Sequence, residues 1–173
     1  MVFPENPYVD SDRFAKFLVS AKKATYASGV KPLWLANGAH VFQFQEDNLV
    51  YSDVYLGNTH FAGAESVASL TSDGTVFWIL HYHGGIITPP DEFAIFTITV
   101  ADLFTFLQKA LMNVSEKHPF RGPSFFKEGL WRYNHWWMKN STGFNGYEAI
   151  WYGPDELCKT KVYELHFHCG LIA

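Results

Sequence analysis

Lysine and arginine are missing from residues 32 to 108, a stretch that nevertheless holds Glu46, Asp47, Asp53, Glu65, Asp73, Asp91, Glu92 and Asp102. All 13 bases lie outside it. A reader of DNA or RNA needs a positive stripe against the phosphate backbone, so no nucleic-acid partner is expected. The base-free stretch itself is first read as a solvated negative face. Cysteine is also scarce: Cys158 and Cys169 are too few for a disulfide framework or a cysteine zinc knuckle, and both are expected to stay reduced. No run reaches the roughly 18 apolar residues of a membrane helix, because Asp102 interrupts the most apolar stretch, from Phe93 to Leu107. No membrane partner is expected. The opening residues, Met1 to Arg13, lack the hydrophobic region of a signal peptide, which gives a cytoplasmic expectation. A nucleotide-binding loop and a nucleophile elbow are absent as well.

What the chain does have is apolar and aromatic mass. Of 173 residues, 48% are apolar and 18% aromatic, while only 17% are charged, against roughly 25% in an average soluble chain. That composition argues against disorder and for one domain spanning 1–173 with a substantial core. Asp10 or Ser11 caps a predicted helix running to about Ser28, with Phe14, Phe17, Leu18, Ala21 and Thr25 on one face and Gly29 as its stop. Lys22 and Lys23 are placed near its C-terminal end, where the helix dipole favours positive charge. Short β-rich runs follow near 41–45, 49–56, 64–70 and 75–83, with turns at Glu46-Asp47-Asn48 and Ser72-Asp73-Gly74. A second helix is predicted from about Val100 to Asn113 with Thr99 as cap, then strands near 124–127, 130–138, 146–152 and 161–168.

The order is a helix and strands, then a helix and strands again. Three signatures recur in that order. Phe17-Leu18 with Ala21 matches Phe106-Leu107 with Ala110; Phe61-x-Gly63-x-Glu65 matches Phe144-x-Gly146-x-Glu148; and His81-x-His83 matches His166-x-His168. The expected fold is α+β, an internally duplicated unit of helix plus antiparallel strands. Its pseudo-repeats are about 10–87 and 100–172, and two helices pack on one curved antiparallel sheet with pseudo-twofold symmetry. The loop from Pro89 to Glu92 is the expected junction.

The same residues carry a resemblance. Tyr51-Ser-Asp53-Val-Tyr55-Leu-Gly57, Phe61-x-Gly63-x-Glu65, Arg121-Gly122-Pro123, Phe144-x-Gly146-x-Glu148 and Gly170-Leu171-Ile172 are together similar to an uncharacterised bacterial family classed as a domain of unknown function. The likeness covers Phe14 to Ile172. Some members carry the domain after an XRE-type helix-turn-helix, which implies a sensing role.

Chemistry is sought where paired residues share a face. If Phe61 and Phe144 point inward, period-two alternation sends Glu65 and Glu148 inward too. A buried carboxylate needs a hydrogen bond, a cation or its own proton. Tyr51, Asp53 and Tyr55 share one strand face, and Tyr133, His135 and Trp137 another. The candidate ligand-binding residues are therefore Tyr51, Asp53, Tyr55, Glu65, Tyr133, Trp137 and Glu148. They suit a cationic or aromatic small molecule in a pocket near the pseudo-axis. The competing account gives each Glu a structural task, pairing with Arg121 or Arg132. His81 and His83, like His166 and His168, stand roughly 6.6 Å apart on one strand face and form a candidate four-ligand site for Zn or another transition metal, with Glu65 or Glu148 as general base. The leading expectation is a non-enzymatic small-molecule binding or sensor-like domain without a cofactor. A metal-dependent enzyme built on the two His-x-His strands, and an interaction module for a partner protein, are its alternatives.

Overall fold

The structure, a computed structural model, describes residues 10–88, 98–141, 143–154 and 159–172. Pro89 to Glu92 and Cys158 lie outside the described residues. Helix α1 spans Ser11–Ala24 and α2 spans Val100–Leu111. The strands are β1 (Leu33–Trp34), β2 (His40–Glu46), β3 (Leu49–Gly57), β4 (His60–Ser69), β5 (Thr75–Ile86), β6 (Phe125–Glu128), β7 (Trp131–Lys139), β8 (Phe144–Tyr152) and β9 (Thr160–Leu171). They form one nine-stranded antiparallel sheet in the order β1-β2-β3-β4-β5-β9-β8-β7-β6. Two meanders thus meet along β5 and β9, and the α+β class is observed.

Local chemistry explains the ends of the elements. The Asp10 carboxylate accepts from the Arg13 backbone N–H at 2.8 Å and caps α1. The regular helix stops at Ala24, four residues short of the expected end. A single 3-10 turn at Tyr26–Ser28 follows, closed by Gly29 at φ 76°. Thr99 and Asp102 form a reciprocal capping box at the start of α2. Asp47 and Asp73 turn the β2–β3 and β4–β5 hairpins in the left-handed region, at φ 51° and 54°. Strands β4, β5 and β9 run several residues beyond the expected bounds, because cross-strand pairing carries them past the apolar alternation seen in the sequence.

Both helices lie on one face of the sheet. Phe14 of α1 packs on Phe77 and Trp78 at ring-centroid distances of 5.7 and 5.6 Å, and Phe106 of α2 lies on Phe126 and Trp131 at 5.6 and 5.4 Å. Burying each such side chain contributes about 1.5–3 kcal/mol. Lys22 departs from its expected place at an exposed helix end: it follows Leu18 by four residues, which puts it on the buried stripe of α1 with no exposed surface.

Candidate functional site

Beneath the helices the inward sheet face becomes polar. Asp53 of β3 stands opposite Glu65 of β4, and His135 of β7 opposite Glu148 of β8; all four are buried. Charges there persist only when paired. Lys22 reaches down from α1 to bond Glu65 Oε2. Arg121, in the connection from α2 to β6, forks onto Glu148 through Nε to Oε2 at 3.0 Å and Nη2 to Oε1 at 2.7 Å. Tyr133 and Tyr163 donate their hydroxyls to the two Glu148 oxygens at 2.6 and 2.9 Å. Burial works against the Glu148 charge, but the Arg121 guanidinium and the Tyr133 hydroxyl together hold its carboxyl below the ordinary value. Burial pushes the Lys22 ammonium below its ordinary value, opposed by Glu65.

The sheet itself fixes Arg121. The Gly122 backbone N–H donates to the Tyr133 hydroxyl at 3.0 Å, and the Gly122 carbonyl bonds His135 Nδ1 at 2.9 Å. A carbonyl only accepts, so the His135 proton sits on Nδ1. Burial lowers the imidazole to about 4, keeping the ring neutral. A Cβ on residue 122 would come within 2.9 Å of the Tyr133 ring, which is why glycine stands there.

At the first meander this polar layer opens into a cavity of about 440 Å³ between α2, the Tyr26–Ser28 turn and strands β3 to β5. Phe42, Tyr55, Phe61, Phe104 and Leu107 supply apolar wall, while Asp53, Tyr82 and Arg121 supply its polar end. The Tyr82 hydroxyl donates to Asp53 Oδ1 at 2.6 Å. Burial, with the charge of Glu65 added, pushes the Asp53 carboxyl up to about 7 despite that bond. The Arg121 guanidinium carbon lies 5.4 Å from the Tyr26 ring centroid and 5.9 Å from that of Tyr82.

Of the residues singled out in the sequence, Asp53 and Tyr55 line the cavity. Glu65 and Glu148 lie behind it in ion pairs, and Glu148 takes the Arg121 partner that the structural account assigned to it. Tyr51 is buried in the core, and Tyr133 is bound to Glu148. Trp137 packs on Phe120 and Phe144, at 5.9 and 5.2 Å, away from the cavity. His81, His83, His166 and His168 share the opposite, exposed face of the sheet, where they stack in two pairs. Among the described residues no group of three or more His, Cys, Asp or Glu side chains is placed to hold a metal ion. The Cys169 thiol is pushed up by burial, away from the thiolate a nucleophile requires.

A family model described as Domain of unknown function (DUF5680) matches residues 53–172. The chain belongs to this family. No curated protein and no solved structure matches the chain. The DUF5680 match takes in Asp53, Glu65, Tyr82, Arg121 and Glu148, so most of the polar layer falls within it, whereas Lys22 and Tyr26 precede it. No helix among the described residues is long and apolar enough to cross a membrane.

Lys22, Tyr26, Tyr82 and the full role of Arg121 were not read from the sequence as site residues. Lys22 did leave a signal: a lysine four residues after a core leucine, on a helix whose apolar ladder is otherwise unbroken. Tyr82 left one too, because alternation between His81 and His83 turns it inward whenever the histidines face out. Arg121 sits in irregular chain, where no periodicity indicates direction.

Proposed function

We propose that this DUF5680 domain binds a small cationic or aromatic molecule in the cavity between α2 and β3–β5, as a binding or sensor-like module without catalysis of its own. The observation that carries this reading is the pairing of apolar, aromatic walls with a compact polar end made by Asp53, Tyr82 and Arg121. An aromatic body is received by Phe42, Tyr55 and Phe61, and a donor or positive group by the Asp53 carboxylate. A ligand that meets α2 on one side and β3 on the other ties helix to sheet, which is a means of signalling occupancy to an attached or separate partner such as a helix-turn-helix protein.

We also infer that the domain arose by internal duplication. The supporting facts are matched registers. Phe61 faces Gly84 and Glu65 faces Leu80; Phe144 faces Cys169 and Glu148 faces Leu165. The ladder shifts between Val67 and Ala68 in β4 and between Ile150 and Trp151 in β8, 83 residues on. His81 opposes His168 and His83 opposes His166 across the joint between the meanders. On this reading the cavity lies between the sheet of the first repeat and the helix of the second, and Trp137 holds in the second the place that Tyr55 holds in the first.

The binding reading is tested by thermal shift against a panel of aromatic amines, neutral aromatics and aromatic acids, repeated on Asp53→Asn. Stabilisation by aromatic amines, lost in Asp53→Asn, is expected. Absence of stabilisation by every class, or stabilisation unaffected by filling the cavity with Leu107→Trp, overturns it.

A further inference from the structure

The face of the sheet turned away from the helices carries a second arrangement, separate from the cavity. Cross-strand registers place Val54, Ala64, His81, His168, Asn145 and Met138 in one row. The next row runs through Leu56, Ala62, His83, His166, Tyr147 and Trp136. All four imidazoles are exposed, and no helix among the described residues covers them.

We propose that His81 and His168 chelate a divalent transition-metal ion of the late first row, Cu²⁺, Ni²⁺ or Zn²⁺, on this outer face. Their ring centroids are 5.1 Å apart with planes 21° from parallel, and they project from directly opposed residues on two central strands. Small side-chain rotations bring a nitrogen of each ring toward one ion, and the backbones that carry them are held by neighbours on both sides. Imidazole nitrogen selects late first-row ions, while Mg²⁺ and Ca²⁺ demand oxygen. The flanks fit the same role. Ala64, next to His81, leaves the approach open, and Asn145, opposite His168, brings an amide oxygen into cross-strand reach. Water fills the positions that remain.

The second pair is the poorer seat, and this makes it the internal control. Its centroids are 5.8 Å apart, and His166 is already engaged, 4.9 Å from the Tyr147 ring and 4.0 Å from Glu164 Oε1. Releasing His166 to an ion costs those contacts, whereas His81 and His168 stack only on one another among the described residues.

The test uses the full chain without a histidine tag, stripped with chelator and titrated by calorimetry with Cu²⁺, Zn²⁺ and, as control, Mg²⁺. One saturable equivalent of Cu²⁺ or Zn²⁺ and no Mg²⁺ binding are expected. His81→Ala and His168→Ala are each expected to weaken binding about tenfold or more, equivalent to 1.4 kcal/mol or more. His83→Ala and His166→Ala should change it by less than about threefold. Nitrogen splitting in the Cu²⁺ spin-resonance spectrum should disappear with the first pair only. All four positions are exposed, so circular dichroism should be unchanged throughout. Absence of saturable binding overturns the site, and so does equal weakening by the two pairs or retention of full affinity in His81→Ala.

Discussion

At the scale of single residues, Glu148 is stabilised by completeness: two guanidinium nitrogens and two phenols surround a carboxylate with no exposed surface. Arg121→Met removes the cation and leaves the charge, and is expected to cost about 3–5 kcal/mol in urea unfolding. Arg121→Met with Glu148→Leu should recover part of that loss, because no buried charge is then left unpaired, although the Tyr133 and Tyr163 hydroxyls lose their acceptor. A double variant no more stable than the single one would mean that the pair serves packing rather than charge compensation. Asp53 behaves in the opposite sense. Its folded pKa of about 7 lies above the unfolded value near 4, so the folded state holds the proton more tightly between them. Its contribution to stability is complete below about pH 4 and is lost as pH rises through about 7, by up to about 4 kcal/mol. Asp53→Asn keeps an acceptor for Tyr82 and cannot ionise. Relative to the wild type it should gain stability steadily from pH 5 to pH 8 in urea titrations, and a constant difference would show that Asp53 does not titrate in this range.

At the scale of elements, the legible features were those with a period or a cap. The α1 ladder from Phe14 to Ala21, the Thr99 to Asp102 box and the alternation of Tyr51, Asp53 and Tyr55 each follow from local geometry, and each appears in the structure. Glu65 and Glu148 were legible as inward-facing, but their partners were not. Lys22 and Arg121 come from a helix and a loop remote in sequence, and pairing across such distances has no local signature. The short β1 escaped for a related reason: two residues, Leu33 and Trp34, give no alternation to read, and only pairing with Val41 and His40 makes them a strand. Glycine pattern was more telling. Gly146 lies under Phe167, whose Cζ would stand 1.9 Å from an added Cβ. Gly146→Ala should therefore destabilise by roughly 1–3 kcal/mol, and Phe167→Leu should restore part of the loss, as measured by thermal unfolding. Thr99→Ala, at the cap of α2, is expected to cost about 1 kcal/mol.

At the scale of the whole molecule, the two meanders are joined more closely than their sequence separation implies. Strand β5 pairs along nine residues with β9, from Trp78 with Leu171 to Ile86 with Tyr163. The polar layer crosses the same seam. Lys22 and Glu65 belong to the first meander and its helix, Arg121 and Glu148 to the second, and Arg121 Nη1 stands 3.8 Å from Glu65 Oε1. Separating the meanders would expose four buried charges and the inner edges of two central strands at once, each a large penalty. A partly unfolded state with one meander intact is therefore poorly populated, and unfolding should be a single cooperative transition although the halves are about the size of small domains. The tryptophans provide a check, since four of the six, Trp131, Trp136, Trp137 and Trp151, lie in β7 and β8, with Trp34 in β1 and Trp78 in β5, whereas far-ultraviolet circular dichroism reports on the whole sheet and both helices. The two signals should share one midpoint in urea. Slow-exchanging amides in β3–β4 and β8–β9 should show the same opening free energy. Fluorescence lost at lower urea than ellipticity would mean that the β5–β9 seam yields first and that each meander stands by itself.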